Sequence, residues 1–350
     1  MAKEKAPDLV NEVAEDLVTV IIPARNEEAS IGAALDSVSG QSYRNLQIVV
    51  VEGGSTDRTA EIIRSRIKSD PRIEMLSNPR PHIPSSLNLA LATARGVWLV
   101  RVDAHCTIRS TYVAQLVARL REGEWGGVGG RKDGVGVTAA GRAIAAVMAS
   151  RFGVGNSKYH YATAVEEVDH LPFGSYPVDL VRKLGGWDER LVANEDYELD
   201  YRVRQSGERL LLDPQIVIEW ECRQSVPDLY RQYVRYGRGK ADVAALHPAS
   251  MKARHAAAPV LVAWLALATV VALRRPGRGL AMASPYLAAL TAASVRVGGR
   301  LDAGRDAVHV PAAFVAMHVG WGLGFWTGLI TRCRAARATS PRSGGLGPTL

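Results

Sequence analysis

Apolar and polar positions alternate in short blocks through the first two thirds of the chain. Residues 17–23 (L-V-T-V-I-I-P) form a β-branched run closed by Pro23, the pattern of a buried strand. Helical spacing follows over 26–39, with Ile31, Leu35 and Val38 on one face. Residues 46–51 repeat the buried-strand pattern and run into a Gly-Gly-Ser-Thr-Asp turn, a helix over 59–68 and a strand over 73–76. A helix over 85–94 and a strand over 97–102 then lead to Asp103. Strands alternating with helices across short loops predict an α/β fold, with a parallel sheet covered on both faces and ligands beyond the strands' carboxyl ends. The Gly- and Ala-rich stretch 126–155 predicts a strand edge, a mobile loop and a small-residue helix. Order returns over 168–176 and 185–204, with a helix at 196–205 and a strand at 210–220 broken by Pro214. Residues 227–240 predict a basic amphipathic helix with Leu229, Tyr233 and Tyr236 on one face.

Beyond that helix the pattern changes. Residues 256–273 and 279–295 carry no charge, and 307–331 carry none apart from His309 and His318. Crossing the hydrocarbon core takes about 20 apolar residues. The third segment is long enough, the first is marginal, and the second is short and interrupted by Pro285. Flanking arginines, Trp321 and Trp326 favour membrane helices over a buried hairpin of a soluble domain. The organisation expected is a polar leader (1–16), a catalytic domain (17–225), a basic amphipathic helix and linker (226–254), membrane segments (255–331) and a basic flexible tail (332–350).

Charge sharpens this division. The 350 residues carry 43 Lys+Arg and 35 Asp+Glu, a net +8. Residues 1–222 hold 26 basic and 31 acidic side chains, and residues 223–350 hold 17 and 4, so the basic excess belongs to the apolar third. A nucleic-acid-binding protein needs no such coincidence, whereas a chain held against an anionic membrane leaflet does. Cys106, Cys222 and Cys333 are far apart, which argues against a disulfide framework and fits a reducing compartment. The first residues contain no apolar signal region, so the catalytic part is expected in the cytoplasm.

Polar clusters fall at the predicted strand ends. Glu52 and Asp57 flank the Gly-rich turn, where carboxylates suit a base or ribose; Asp57 equally suits a turn cap. Asp103 and His105 stand two residues apart, able to face one divalent cation or simply to close a turn. Glu195 and Asp196 begin a helix, as dipole-stabilising caps or as a general base. Gln232 and Arg235 share a helical face, which suits a diphosphate clamp or a solvated basic surface.

The order of these pieces resembles the family 2 glycosyltransferases, which have a GT-A catalytic domain. The matching stretches are V-T-V-I-I-P-A-R-N-E-E (18–28), V-V-V-E-G-G-S-T-D-R-T (49–59), V-W-L-V-R-V-D-A-H (97–105), the G-G-W-D run through Asn194-Glu195-Asp196 (185–202) and Q-Y-V-R-Y (232–236). F-G-S-Y (173–176) and D-A-H look most like bacterial exopolysaccharide transferases of the succinoglycan type. The resemblance spans 17–240. It implies a GT-A nucleotide-sugar-binding domain with a mixed, mostly parallel sheet, followed by C-terminal transmembrane or membrane-associated helices. Pro23, Arg25, Glu27, Glu52 and Asp57 match nucleotide-binding positions. Asp103 and His105 match the D-x-D pair that holds Mn²⁺ or Mg²⁺ and the donor diphosphate. Asp196 matches the catalytic base, with Glu195 beside it, and Gln232 and Arg235 match the diphosphate-side motif. Three positions depart from the pattern: Gly53 for an acid, His105 for the second acid of D-x-D, and Tyr236 for a Trp.

The implied activity is inverting, metal-dependent hexosyl transfer from a nucleotide-sugar, a UDP-sugar, to a lipid-linked or polysaccharide acceptor at the inner membrane. A homo-oligomer is compatible with this. Direct transfer to polyprenyl phosphate and a non-catalytic membrane scaffold are the rival readings. A dinucleotide oxidoreductase would need G-x-G-x-x-G where P-A-R-N-E-E stands.

Overall fold

The computed structural model describes residues 16–80 and 82–339. The leader before Asp16 and the tail after Thr339 lie outside the described residues. In chain order the elements are β1 (Val18–Ala24), α1 (Ile31–Ser39), β2 (Leu46–Glu52), α2 (Thr59–Ser69), β3 (Ile73–Ser77), α3 (Ile83–Thr93), β4 (Trp98–Arg101), β5 (Cys106–Ile108) and α4 (Tyr112–Arg121). There follow β6 (Gly127–Val135), α5 (Ala139–Met148), α6 (Arg151–Val154), β7 (Glu166–Val168), β8 (Ser175–Pro177), α7 (Val178–Lys183), α8 (Glu195–Gln205) and β9 (Leu210–Glu221). Helices α9 (Val226–Leu246), α10 (Ala253–Ala272), α11 (Pro276–Gly298), α12 (Gly304–Ala307) and α13 (Val310–Thr339) complete the chain.

The strands form one sheet in the order β3-β2-β1-β4-β8-β6-β9-β5, with β7 paired to β9. Its long ladders, β1 to β2, β2 to β3, β1 to β4 and β6 to β9, are parallel. Short antiparallel ladders at β8, β5 and β7 make it mixed. Residues of β1 and β2 alternate between two cores. Val18, Val20, Ile22, Ile48 and Val50 face one, and Ile21, Val49 and Val51 the other. Burial on both faces is why these strands read as unbroken apolar runs.

Three expectations are corrected. Helix α1 begins at Ile31 rather than 26, because residues 26–28 are tied to the next loop, and Asn26 takes a left-handed φ of 54°. The stretch from 126 supplies β6, which is interior rather than an edge. Its glycines hide the strand signal, yet they are needed: a Cβ on Gly130 would lie 2.0 Å from the Ile216 carbonyl oxygen. There the β6–β9 register jumps from Gly130–Asp213 to Arg131–Val217, and the residues around Pro214 loop out. Finally, α13 continues as helix through Thr339, where a flexible tail was expected from 332.

Three helices, Ala253–Ala272, Pro276–Gly298 and Gly304–Arg334, are long and apolar enough to cross a membrane. The first two leave most of their surface uncovered, with Val260, Trp264, Leu267, Val270, Leu280 and Val295 exposed. The third differs. Val310, Ala313, Phe314 and Met317 are buried in the same core that the sheet's strands build. His318 Nε2 lies 2.7 Å from the Phe152 carbonyl oxygen, and the Arg142 guanidinium binds Asp306 just upstream. Gly320, Gly324 and Gly328, one turn apart, let α13 press against Tyr230, Val234 and Ala241 of α9. From the other side, a Cβ on Gly237 of α9 would lie 2.1 Å from the Trp321 carbonyl oxygen and 2.7 Å from the Phe325 amide nitrogen.

These are backbone atoms within a helix and cannot retreat. Gly237→Val is therefore expected to destabilise the protein by about 1–3 kcal/mol or more through overpacking. A thermal melt of the detergent-solubilised chain should fall by several degrees, and an unchanged melt would contradict this contact.

Candidate active site

Strand β4 delivers a charge into the core. Arg101 is its last residue, paired in register with Ile21 and 3% exposed. Its guanidinium reaches Asp103 (Nε to Oδ1 2.8 Å, Nη2 to Oδ2 3.3 Å), Glu195 (3.2 Å) and Asp196 (2.7 Å). One planar fork thus joins the strand end to the start of α8. Burial opposes the charge on Arg101, but the three carboxylates outweigh it. Burial also pushes the Asp103 carboxyl up, and Arg101, helped by His105 and Lys132, more than reverses this and holds it below the usual carboxylate range. At Glu195 the balance is opposite. Burial and the neighbouring Asp196 charge raise it in spite of Arg101. Trp187 Nε1 donates to Asp196 Oδ1 at 3.3 Å, so the Arg101 and Trp187 contacts converge on one oxygen of that carboxylate.

The first two βα loops are stitched together beside this centre. The Asn26 amide donates to Ser55 Oγ (3.0 Å), Glu27 to Thr59 Oγ1 (2.7 Å) and Glu28 to Asp57 Oδ2 (3.1 Å), while Thr56 donates back to Asn26 Oδ1 (2.9 Å). Asp57 also accepts from the Thr59 amide and hydroxyl at 3.0 and 2.6 Å, which lowers its carboxyl. Its carboxylate thus ties the turn to the first residue of α2. Glu52 accepts from the Ser55 amide at 2.5 Å; burial pushes it up, and these loop hydrogen bonds pull it below the usual range.

Helix α8 starts from Asn194, whose φ is 64° and whose side-chain Nδ2 donates to the Tyr236 carbonyl of α9 at 3.0 Å. Gly239 of α9 packs against Ala193, where a Cβ would lie 2.6 Å from the carbonyl oxygen. Gln232 on α9 is 5% exposed, and its Nε2 donates to the Tyr236 hydroxyl at 3.0 Å. Its Oε1 is buried without a hydrogen-bond partner among the described residues, an acceptor that a ligand donor would satisfy.

A cavity of about 950 Å³ gathers Glu27, Asp103, His105, Glu195, Asp196, Gln232 and Arg235. Pro23, Arg25, Glu52 and Asp57 are not in its lining; they belong to β1, β2 and the stitched loops at the carboxyl ends of those strands. A second, smaller cavity of about 270 Å³ is lined by Arg223, Asp228, Arg231, Gln232 and Arg235.

Asp103 and His105 both line the large cavity, and His105 Nδ1 lies 3.0 Å from Glu27 Oε1. No cluster of three or more ligating side chains stands ready for a metal among the described residues. Mg²⁺ and similar hard cations bound with a diphosphate need only one or two protein ligands, the rest being phosphate oxygens and water. An oxygen and an imidazole nitrogen facing one cavity fit that requirement.

Two residues of the centre escaped the sequence reading. Arg101 stood inside the apolar run V-W-L-V-R-V, and a lone cation in a buried strand just before an acid was its signal. Lys132 lay in the Gly-rich stretch and gave none. It is 9% exposed, with its ammonium 3.8 Å from the Trp220 ring centroid and 4.6 Å from that of Phe173. Burial pulls it down to about 8, against Cys106 and Asp103.

Arg101→Met would strand three carboxylates in the interior and is expected to cost about 3–5 kcal/mol by denaturant unfolding. Arg101→Lys should recover only part of this, because a point charge cannot bridge three partners. Losses below about 1 kcal/mol in both would contradict the bridging role.

Comparisons with known proteins agree with this fold. Residues 19–171 match the model of glycosyl transferase family 2. The succinoglycan biosynthesis protein ExoA of Rhizobium meliloti is 30% identical over 317 residues, covering 89% of this chain and 94% of that protein. A dolichyl N-acetyl-alpha-D-glucosaminyl phosphate 3-beta-D-2,3-diacetamido-2,3-dideoxy-beta-D-glucuronosyltransferase of Methanococcus voltae is 24% identical, covering 64% and 73%. Among solved structures, a mannosyltransferase from Pyrobaculum calidifontis in complex with GDP-Man and Mn²⁺ superposes with a TM-score of 0.56 at 22% identity over 88% of each chain, a likeness of fold. With a GT-A-like sheet, its polar groups gathered at the strand ends, and a relative matched nearly end to end, the chain belongs to the family 2 glycosyltransferases.

Proposed function

We propose that the chain moves a hexosyl group from a nucleotide-sugar, a UDP-sugar, to a lipid-linked saccharide or growing polysaccharide at the cytoplasmic face of the inner membrane, with inversion, in exopolysaccharide synthesis. The observation that carries this is the single cavity. It brings the Arg101-bound carboxylates together with Gln232 and Arg235, and its lining continues onto Ala257 and Ala258 of α10 and Trp321 of α13. The names of two relatives support the acceptor class, one being a succinoglycan biosynthesis protein and the other acting on a dolichyl-linked saccharide.

In this reading Asp196 is the general base. Its Oδ1 is held by Arg101 and Trp187, which orients Oδ2 towards the acceptor hydroxyl. That hydroxyl attacks the anomeric carbon from the face opposite the nucleotide. Burial and the adjacent Asp196 raise the Glu195 carboxyl, so the two neighbouring acids are not equivalent. Glu27, Glu52 and the stitched loops surround the nucleoside, and Arg235 and Gln232 meet the diphosphate. Asp103 and His105 would hold Mn²⁺ or Mg²⁺, which neutralises the leaving diphosphate.

Asp196→Asn should lower turnover by a factor on the order of 10²–10⁴, while the affinity for the donor, measured by calorimetry, stays close to that of the parent. Turnover near the parent's would remove Asp196 from the role of base. Anomeric analysis of the parent's product by NMR should show the configuration opposite to the donor's, and a retained configuration would refute this mechanism.

A further inference from the structure

The cavity lining includes a cationic stretch that the chemistry above does not use. Arg204, Lys240, Lys252 and Arg254 all face it, with Tyr197 and Tyr159 between them. Asp169 serves both Lys252 (2.7 Å) and Arg254, Asp200 is engaged by His170 (2.8 Å), and Glu167 sits 3.8 Å from Arg209. Positive charge is therefore in excess. Lys240 is 4% exposed and rests on the Tyr197 ring, 2.9 Å from its centroid. Arg204 Nε is buried with no hydrogen-bond partner among the described residues. Burial and repulsion from Arg254 pull the Lys240 ammonium well below its ordinary range despite Asp169. A buried ammonium beside further cations is costly unless an anion joins them.

The position of the stretch identifies the anion. Tyr197 follows Asp196 directly, so the cations lie next to the proposed base. Lys252 and Arg254 open α10, and from there the lining passes onto Ala257, Ala258, Met317 and Trp321, an apolar exit along helices fit for a membrane. A ligand suited to this wall has a phosphate at one point, a saccharide on one side of it and a hydrocarbon chain on the other.

We propose that Arg204, Lys240, Lys252 and Arg254 bind the phosphate or diphosphate group of the membrane-borne acceptor. Its saccharide then extends to Asp196, and its hydrocarbon chain leaves between α10 and α13. The identity of the ligand as acceptor rests on the transfer reaction proposed above, whereas its binding does not.

The test uses the full chain in detergent, with farnesyl diphosphate, inorganic diphosphate and UDP as probes by calorimetry. Vesicles containing phosphatidylglycerol form a separate arm. Asp169→Asn, Lys252→Gln and Arg254→Gln are combined so that no charge is stranded. The triple variant should weaken farnesyl diphosphate about tenfold or more and leave UDP affinity as in the parent; Arg235→Ala should show the converse. Arg204→Gln alone, at a half-buried position, should weaken farnesyl diphosphate by several-fold and covers the case in which the triple variant does not fold. Farnesyl diphosphate affinity unchanged in these variants overturns the proposal. So does an equal loss for UDP, which would assign the cations to the donor. Inorganic diphosphate binding as tightly as farnesyl diphosphate would make this a free-phosphate site. Vesicle binding that falls in proportion would make it a phospholipid headgroup site, and either result refutes the proposal. Because binding is read without turnover, a chain that transferred no sugar would disprove the reaction and leave this measurement standing.

Discussion

Arg101 is the constraint on which the rest of the site depends. A guanidinium almost sealed from water must find anions, and it finds Asp103 two residues along the chain and Glu195–Asp196 more than ninety residues away. That grip decides where α8 begins relative to β4. It also sets two carboxylate environments apart within one cluster, with Asp103 held low and Glu195 pushed up. Reaction centres that separate adjacent acids in this way can assign one to cation or leaving-group chemistry and another to proton transfer. A hydrophobic replacement of the whole cluster can pack as well, but it carries none of this difference.

The second dependence is mechanical. Helix α9 lies between two close contacts, Gly239 against the lead-in to α8 and Gly237 against α13. Neither admits a side chain. Gln232 and Arg235 are therefore positioned by a helix pressed on one side against the carboxylate cluster and on the other against the C-terminal apolar helix. The pair α10 and α11 presents apolar surface outward, whereas α13 spends much of its apolar character inside the protein. Length and hydropathy cannot distinguish these uses, since a helix apolar all round suits lipid and a protein interior equally.

Much of the fold was legible because its signals are local. The strands β1, β2 and β4 are buried on both faces and read as apolar runs, and the turns between them carry Gly, Ser, Thr and Asp. Asp103, His105, Glu195, Asp196, Gln232 and Arg235 each followed a recognisable element, and the cavity unites them. What escaped depended on distant partners. Gly127 to Gly130 look like a loop until Ile216 and Tyr176 are seen to press on them, and β6 is then an interior strand. Lys132 becomes intelligible only when β8 and β9 bring Phe173 and Trp220 over it. Asp57 illustrates the opposite case. Its sequence setting suited a ligand and a cap equally, and in the fold its carboxylate accepts from the Thr59 and Glu28 amides.

The uneven charge of the chain acquires a structural meaning in the same way. A basic C-terminal third beside apolar helices suggests arginines and lysines waiting at a lipid surface, and Arg274, Arg275 and Arg278 are indeed exposed at the α10–α11 turn. Other cations of that third turn inward instead. Lys240 is buried, Lys252 and Arg254 share Asp169 at the cavity wall, and Arg332 closes on Asp242 across the α9–α13 contact at 2.6 Å. The positive excess is thus divided between a surface that can meet an anionic leaflet and an interior lining that can meet a phosphate. Electrostatic attraction to the leaflet is screened within about 8 Å at physiological salt, whereas charges inside a cavity are screened far less. The inward-facing cations are accordingly better placed to discriminate between ligands, and the outward-facing ones better placed to meet a charged surface.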